Sequence, residues 1–248
     1  MDFGILLNGS FNIGGKYNIN ASQVSFQYSD NVVIFEEEFL SMYRILIELI
    51  LSVSKNREAN FELKDKIKIS QDTNISYLSS NLISNFKGSI KDYLNVCFYP
   101  LLKIYLEYNL VKHKFTLDDL KWVSEYTKMS ILMDIYNLWN FNYYIEEVVD
   151  GLNLYPFLNN TVSGNINEIT RYKFMLAGTL LSDSNIIIID NINDYLSLNE
   201  ITFLYNWIQI QKRIFIFLGH LSISDNIKKK KIIKFNSKTN ILSSLNII

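Results

Sequence analysis

The chain has 248 residues, 48% of them hydrophobic, so it is long and apolar enough to fill the cores of one or two domains. Its 24 basic and 25 acidic residues nearly cancel, which excludes the strongly basic composition typical of proteins that coat nucleic acids. Cys97 is the only cysteine, which excludes an internal disulfide and a cysteine-based metal cluster and favours a reducing compartment.

No segment of the sequence has the pattern of a secretion signal or a membrane anchor. Met1-Asp2-Phe3-Gly4 carries an acid where a signal peptide carries basic residues. The most apolar long run, Phe39 to Val53, is too short to span a bilayer and contains Arg44 and Glu48. We therefore expect a soluble, cytoplasmic protein without a membrane partner.

The N-terminal part has the pattern of β-structure followed by one helix. Gly14-Gly15 predicts a hairpin, and the alternation from Gln23 to Tyr28 predicts a strand with one buried face. Val32 to Phe35 predicts a buried strand. The apolar spacing from Ser41 to about Val53 then predicts a helix.

The rest of the chain predicts helices over residues 90–150 and then alternating elements. A helix from about Glu168 to Leu181 leads into the run Ile186 to Asp190, and a helix near Asn199 to Gln211 leads into Ile214 to His220. Continuous β-branched runs are typical of parallel strands buried on both faces. The order strand, helix, strand predicts right-handed βαβ units and hence an α/β sheet.

Four segments in the last third follow the motif order of ABC ATPases, and together they resemble that family. Val162-Ser163-Gly164-Asn165 stands in the place of the LSGG signature, and Ile186 to Asp190 resembles the Walker B strand. Tyr195-Leu196-Ser197 resembles the D-loop, and His220 resembles the switch histidine. The resemblance implies an α/β fold of the ABC-type P-loop NTPase class, with an N-terminal antiparallel β portion and an enlarged helical subdomain.

A narrower resemblance is to the second nucleotide-binding domain of the ribosome-recycling ABC ATPase, subfamily E. Asn74 to Tyr77 followed by Ile83 to Ile90 is similar to its Q-loop region. Ser29 to Phe35 resembles its strand before Walker A, and Ile232 to Phe235 resembles its closing strand. The resemblance implies that residues 1–248 form a single ABC-like nucleotide-binding domain, with a helical insertion at about 98–139.

Two segments compete for the place of the P-loop, in which backbone N–H groups, a lysine and a hydroxyl hold the triphosphate and Mg²⁺. Gly14-Gly15-Lys16 has the glycines and the lysine, but alternating residues follow it instead of a helix. Glu36 to Tyr43 has the strand before it and the helix after it. In this second placement, which we favour, Met42 replaces the lysine, Tyr43 replaces the hydroxyl, and three carboxylates repel a triphosphate.

Three further positions lack the group that hydrolysis needs. Ser80 stands in the place of the Q-loop glutamine, and Asn165 replaces a signature glycine that permits close backbone approach. Asn191 replaces the glutamate after Walker B, and an amide cannot accept a proton from water at neutral pH. Asp190 and His220 keep the family's residue types, but a strand-end cap and a buried imidazole explain them at least as well.

These departures predict a pseudo-ATPase, which is not an enzyme and needs neither a metal nor ATP as a cofactor. The resemblance implies a macromolecular partner, the ribosome or one subunit, and a role in dormancy or hibernation or one derived from recycling; no DNA partner is expected. The candidate RNA contacts are the insertion 98–139 and Lys228, Lys229, Lys230 and Lys231, since lysines bind rRNA phosphates. A solvated turn before a strand explains these four lysines equally well.

Two alternatives remain open at this stage. The chain could be the non-catalytic subunit of an asymmetric ABC ATPase pair, in which Ser163-Gly164 completes the site of an active chain; Asn165 counts against this. It could also be a weak ATPase that uses Lys16.

Overall fold

The structure is a computed structural model that describes most of the chain. It describes residues 3–13, 17–27, 30–35, 37–55, 65–70, 73–78, 86–114, 120–162, 166–219 and 230–247. No helix in these ranges is both long enough and apolar enough to cross a membrane.

The chain divides into two compact units. The first unit comprises Met1–Ser79, Asn185–Asp194 and Ile214–Ile248, and the second comprises Ser80–Ser184 and Tyr195–Arg213. The first unit holds the β-sheet and the second is helical.

The first unit begins with a long antiparallel hairpin. Strands β1, Phe3–Ile13, and β2, Tyr17–Gln27, pair along their length and end at the pair Ile13 and Tyr17. The predicted hairpin is thus confirmed, while Gly14-Gly15-Lys16 at its tip lies outside the described residues. Because strands stand on both sides of Lys16, this segment lacks the helix that follows the loop of a P-loop protein.

The other strands build a mixed sheet around a parallel centre. They are β3 Val32–Phe35, β4 Ile67–Ile69, β5 Ile75–Leu78, β6 Ile186–Asp190, β7 Ile214–Leu218, β8 Lys230–Asn236 and β9 Ile241–Ile247. The strand order among described residues is β4-β1-β2-β9-β8-β3-β7-β6-β5, and β8, β3, β7, β6 and β5 are mutually parallel. Strands β3, β6 and β7 are buried at every residue, as their apolar runs predict.

Helix α1, Leu40–Lys55, packs against this sheet. A single 3-10 turn, Glu37–Phe39, precedes it. Its buried residues share one face at helical spacing and join the core of the first unit: Met42, Tyr43, Leu46, Ile47 and Ile50. The ring of Tyr43 packs edge-on against Phe35 at 4.7 Å between centroids, which fixes the helix to the end of β3.

The second unit is a set of helices that confirms the predicted pattern. Its described helices are α2 Ile90–Lys114, α3 Leu120–Ile135, α4 Phe141–Gly151, α5 Glu168–Leu180 and α7 Leu198–Gln209; the short α6, Ile192–Tyr195, lies across the unit boundary. The interval 98–139 contains most of α2 and all of α3. Helices α5 and α7 begin at side-chain caps, Asn167 and Ser197, which accept hydrogen bonds from the backbone N–H groups of the first turn.

A buried ion pair joins two of these helices. Lys173 Nζ in α5 lies 2.6 Å from Glu200 Oε1 in α7, and Glu200 is 2% exposed. Burial would raise the pKa of Glu200, but hydrogen bonds from Asn153, Lys173 and Ser197 outweigh burial and lower that pKa overall. Ser197, which the resemblance placed in the D-loop, therefore has a structural partner in the second unit.

Arg213 is a fully buried cation that closes the C-terminal end of α5. Its guanidinium donates to the backbone oxygens of Leu180 and Ser182, each at 3.0 Å, and to Tyr144 Oη at 2.9 Å. The rings of Tyr136 and Trp207 also lie within 5.5 Å of it. The carbonyls at the end of a helix carry partial negative charge, so they help to hold this buried cation.

Replacing Arg213 tests this arrangement. Arg213→Met keeps the apolar volume but leaves helix-end carbonyls buried without a donor, so we expect the free energy of unfolding to fall by about 3–5 kcal/mol. Urea unfolding followed by circular dichroism measures the loss. The matched control is Lys212→Met, next in the chain, whose exposed pair with Asp134 should contribute less than about 1 kcal/mol. Similar losses for both variants would contradict the assignment.

Candidate functional site

The candidate site lies in the first unit, where β6 ends and α1 begins. Asp190 is the last residue of β6 and is 1% exposed. Strands β5 and β7 flank β6 on either side, so Asp190 sits at the carboxyl edge of the parallel centre. In α/β sheets this edge is where ligands bind.

Asp190 already has a cationic partner within the chain. Arg44 in α1 donates from Nε to Asp190 Oδ2 at 2.6 Å and from Nη2 to Asp190 Oδ1 at 3.0 Å. This is a two-point pair of the kind that arginine forms with carboxylates. The hydrogen bond to Asp190 raises the pKa of Arg44 above its ordinary value, so the guanidinium stays charged. Tyr77 Oη in β5 is a further donor to this carboxylate and lies 3.5 Å from Asp190 Oδ2.

Asn191 completes the same cluster. Its side-chain oxygen accepts a further bond from Arg44 Nη2 at 3.0 Å. Its backbone is left-handed, with φ of 54°, in the turn between β6 and α6. Asparagine adopts this conformation more readily than glutamate does, so the local backbone itself favours asparagine at this position.

Met42 and Tyr43 point away from any phosphate site. Both are fully buried in the apolar core of the first unit. The sequence placed residues 36–43 in the slot of the P-loop and predicted a helix from Ser41; α1 begins at Leu40, and only a 3-10 turn and residue 36 separate it from β3. A turn this short leaves little backbone to close around a triphosphate. Of the three acids in this segment, the structure describes the side chain of Glu38, which is exposed.

Several predicted site residues lie outside the described ranges. They are Lys16, Ser80, Ser163, Gly164, Asn165, His220, Lys228 and Lys229. The cluster that the structure brings together from the predicted positions is therefore Asp190 with Asn191.

The prediction that Lys230 and Lys231 contact RNA is wrong. They begin strand β8 and are only 8% and 5% exposed. Lys231 Nζ lies 2.7 Å from Asp30 Oδ2 and 2.7 Å from the backbone oxygen of Ser25. Buried ammonium groups need such partners, and a lysine held in this way cannot reach an external phosphate.

Arg44 is the functional residue that sequence reasoning missed. It was visible only as a charge within an apolar helix, and the sequence had no means to show that its partner is 146 residues away. A lone cation among the buried positions of a helix is the signal that could have indicated it. Within the described residues, no group of three or more His, Cys, Asp or Glu side chains could hold a metal ion.

The Arg44–Asp190 pair should contribute measurably to the stability of the first unit. Arg44→Ala leaves a buried carboxylate without its cation, and we expect a loss of about 1–2 kcal/mol, because water screens a pair whose arginine is 36% exposed. Glu48→Ala, an exposed change on the same helix, should stay within about 0.5 kcal/mol. Chemical denaturation measures both, and a double-mutant cycle with Asp190→Asn gives the coupling. A coupling energy of zero between positions 44 and 190 would contradict a direct interaction between the two side chains.

Comparisons with known proteins identify the fold. No known family model and no curated protein matches the sequence. The structure is similar to an inward-facing metal-chelate-type ABC transporter, with a TM-score of 0.55 and 12% identity over 98% of this chain and 83% of that chain.

Two further similarities are to parts of larger chains. For the RNase-L Inhibitor, the TM-score is 0.57 at 11% identity, over 99% of this chain and 39% of that chain. For a chain in a model of ribosome-bound archaeal Pelota and ABCE1, it is 0.57 at 11% identity, over 98% of this chain and 33% of that chain. This chain thus spans well under half the length of both. Together with the sheet and helices above, these similarities show that the chain has the fold of ABC-type P-loop NTPase domains.

Proposed function

We propose that this chain is a pseudo-ATPase: an ABC-like domain that does not hydrolyse ATP and serves as a binding factor for the ribosome. The observation that supports the absence of ATP hydrolysis is the ion pair between Arg44 and Asp190. In P-loop NTPases the Walker B aspartate helps to hold the Mg²⁺ that bridges the phosphates. Here both oxygens of the corresponding carboxylate are taken by a guanidinium of the same chain.

Other residues around the pair support the same proposal. A metal ion would have to displace a two-point ion pair at a carboxylate that is 1% exposed. Met42 and Tyr43 contribute to the apolar core and supply neither a lysine nor an accessible hydroxyl. The amide of Asn191 cannot act as a general base. Since groups that act as one catalytic unit lose most of their effect when one is removed, the loss of several leaves little hydrolysis to expect.

The ribosome as partner is proposed by analogy. Support comes from the similarity to the RNase-L Inhibitor and to a chain in a ribosome-bound model of Pelota and ABCE1. Because one fold hosts many functions, ribosome binding is tested separately from hydrolysis. A factor that cannot cycle with ATP would occupy its site for as long as its affinity allows, which suits dormancy or hibernation. Since Lys230 and Lys231 are buried, the candidate contacts that remain are the helical insertion 98–139 and Lys228 and Lys229, which lie outside the described residues.

A second candidate is the non-catalytic subunit of an asymmetric ABC pair. The similarity to a transporter chain, of which this chain covers 83%, supports this second candidate. Sedimentation of native extract separates the two, because migration with ribosomal particles supports the first and migration with membranes or an ABC partner supports the second.

We expect the purified protein to hydrolyse ATP no faster than background. The physical reason is that Arg44 occupies the carboxylate that would bind the metal. The measurement is phosphate release with Mg²⁺ present, together with a titration of ATP binding. A rate above about 0.1 s⁻¹, two orders of magnitude below a median enzyme, would contradict the proposal. If Lys16→Ala abolished that rate, ATP hydrolysis would depend on Lys16.

Asn191→Glu is the sharpest companion variant. It introduces the glutamate that the resemblance expects there, yet it should give no gain in hydrolysis, because Met42 and Tyr43 supply neither the lysine nor the hydroxyl of a phosphate-binding loop. It should also lower the free energy of unfolding by about 1–2 kcal/mol, since position 191 is left-handed. A gain in ATP hydrolysis would show that the nucleotide site is intact.

We expect binding to ribosomes to weaken between about 50 and 200 mM salt if lysines of the insertion contact rRNA, because each phosphate contact releases counterions. Replacing exposed Lys112, Lys114, Lys121 and Lys128 with Gln should lower the affinity and flatten the salt dependence. The control replaces four exposed lysines elsewhere: Lys68, Lys87, Lys91 and Lys238. Pelleting with purified ribosomes is the measurement. Failure of the parent chain to pellet would remove the ribosome as partner.

A further inference from the structure

Helix α2 presents a second apolar stripe, on the face opposite its buried one. Leu94, Phe98, Leu101 and Tyr108 face the interior of the second unit. The other stripe lies in solvent at positions 96, 99, 103, 106 and 110, spaced alternately three and four residues apart. Its members are Val96, Tyr99, Leu106 and Leu110, which are 61%, 63%, 52% and 62% exposed, and Lys103, which is also exposed.

This spacing is that of the seam of a coiled coil. Single exposed apolar residues are ordinary on protein surfaces and need no explanation. Four of them on one line, with one cation at the centre, form a continuous strip about 21 Å long at 1.5 Å per residue. In two-stranded coiled coils the a and d positions are apolar and one polar residue commonly sets the register. Pro100 lies to the side of this line, so its ring does not occupy the seam.

The charges of α2 show which partner fits the stripe. The first turn carries Lys91 and Asp92, of which Asp92 lies four residues before Val96 on the line of the stripe, and the last turn carries Lys112, His113 and Lys114. A second α2 laid antiparallel, with Lys103 opposite Lys103, brings Asp92 of each copy next to Lys114 of the other. In the same register, Val96 of each copy faces Leu110 of the other, and Tyr99 of each copy lies beside Leu106 of the other. The two helix dipoles are then opposed, which is the favourable arrangement.

At the centre of the antiparallel register each Lys103 has an acidic neighbour, whereas parallel pairing of the two helices brings like charges together at both ends. Lys103 lies 3.8 Å from Glu107 one turn away, so the two central lysines each bring a carboxylate with them. Parallel pairing would place Asp92 beside Asp92 and the basic last turns beside each other, with aligned dipoles. Each of these contacts is repulsive.

We propose that the exposed stripe of α2 is an interface between two copies of this chain, which pair antiparallel about a two-fold axis through Lys103. A two-fold axis makes the contact self-complementary and closed, so it ends at the dimer. The seam is short, well below the area of a standard permanent interface, and dissociation constants in the micromolar range are about what such contacts give. The proposal does not depend on the partner or the activity proposed above.

Cysteine crosslinking tests the register. In a Cys97→Ser background, Lys103→Cys should form a disulfide-linked dimer by itself under mild oxidation. Val96→Cys and Leu110→Cys should each stay monomeric alone and crosslink to each other when mixed, since each lies about 21 Å from its own copy in the antiparallel register. Self-crosslinking of Val96→Cys with no mixed product would overturn the antiparallel pairing.

Sedimentation equilibrium of the unmodified chain tests the interface itself. We expect a monomer–dimer equilibrium, and we expect Leu106→Glu to raise the dissociation constant at least about tenfold. The control is Leu198→Glu, the same change at an exposed leucine at the start of α7, which should leave the constant unchanged. A chain that stays monomeric at about 100 μM, far above a micromolar dissociation constant, or an unaffected Leu106→Glu dimer, would overturn the proposal. Ribosome pelleting can succeed or fail independently of either result.

Discussion

A carboxylate at the buried end of a strand cannot remain charged unless a cation or a set of donors lies beside it. Asp190 meets this constraint through Arg44, which reaches it from the second turn of α1. The same bond ties α1 to the carboxyl edge of the sheet, while Met42 and Tyr43 fix the other side of the helix in the core. One interaction thus stabilises the first unit and occupies both oxygens of the carboxylate.

The second unit uses a buried arginine in a different way. Arg213 has backbone carbonyls at the end of α5, a phenol and two aromatic rings around it. Most partners of Arg213 are dipoles, whereas the partner of Arg44 is the carboxylate of Asp190. The two arginines therefore differ in effect: Arg213 stabilises the end of a helix, while Arg44 occupies both oxygens of a carboxylate at the edge of the sheet.

The loss of hydrolysis proposed above is compatible with retention of the fold. In the first unit, Met42 and Tyr43 contribute to the core, and Arg44 contributes to a salt bridge. Asn191 fits a left-handed turn that would strain a glutamate. The exposed apolar stripe on α2 belongs to the second unit and shares no residue with this site, so the two can change independently in sequence.

The sequence by itself determined the elements whose signals are local. Continuous apolar runs predicted β6 and β7, Gly14-Gly15 predicted the hairpin, and helical spacing predicted α1, α5 and α7, because hydrophobic period and turn residues act over a few neighbours. Only the tertiary structure decided which charged residues meet. Arg44 and Asp190 are 146 residues apart and Lys231 and Asp30 are 201 apart, so no spacing in the sequence could show that one pair closes the site and the other buries a lysine expected to bind RNA. Such pairing is set by how strands and helices pack, which is a property of the folded chain as a whole.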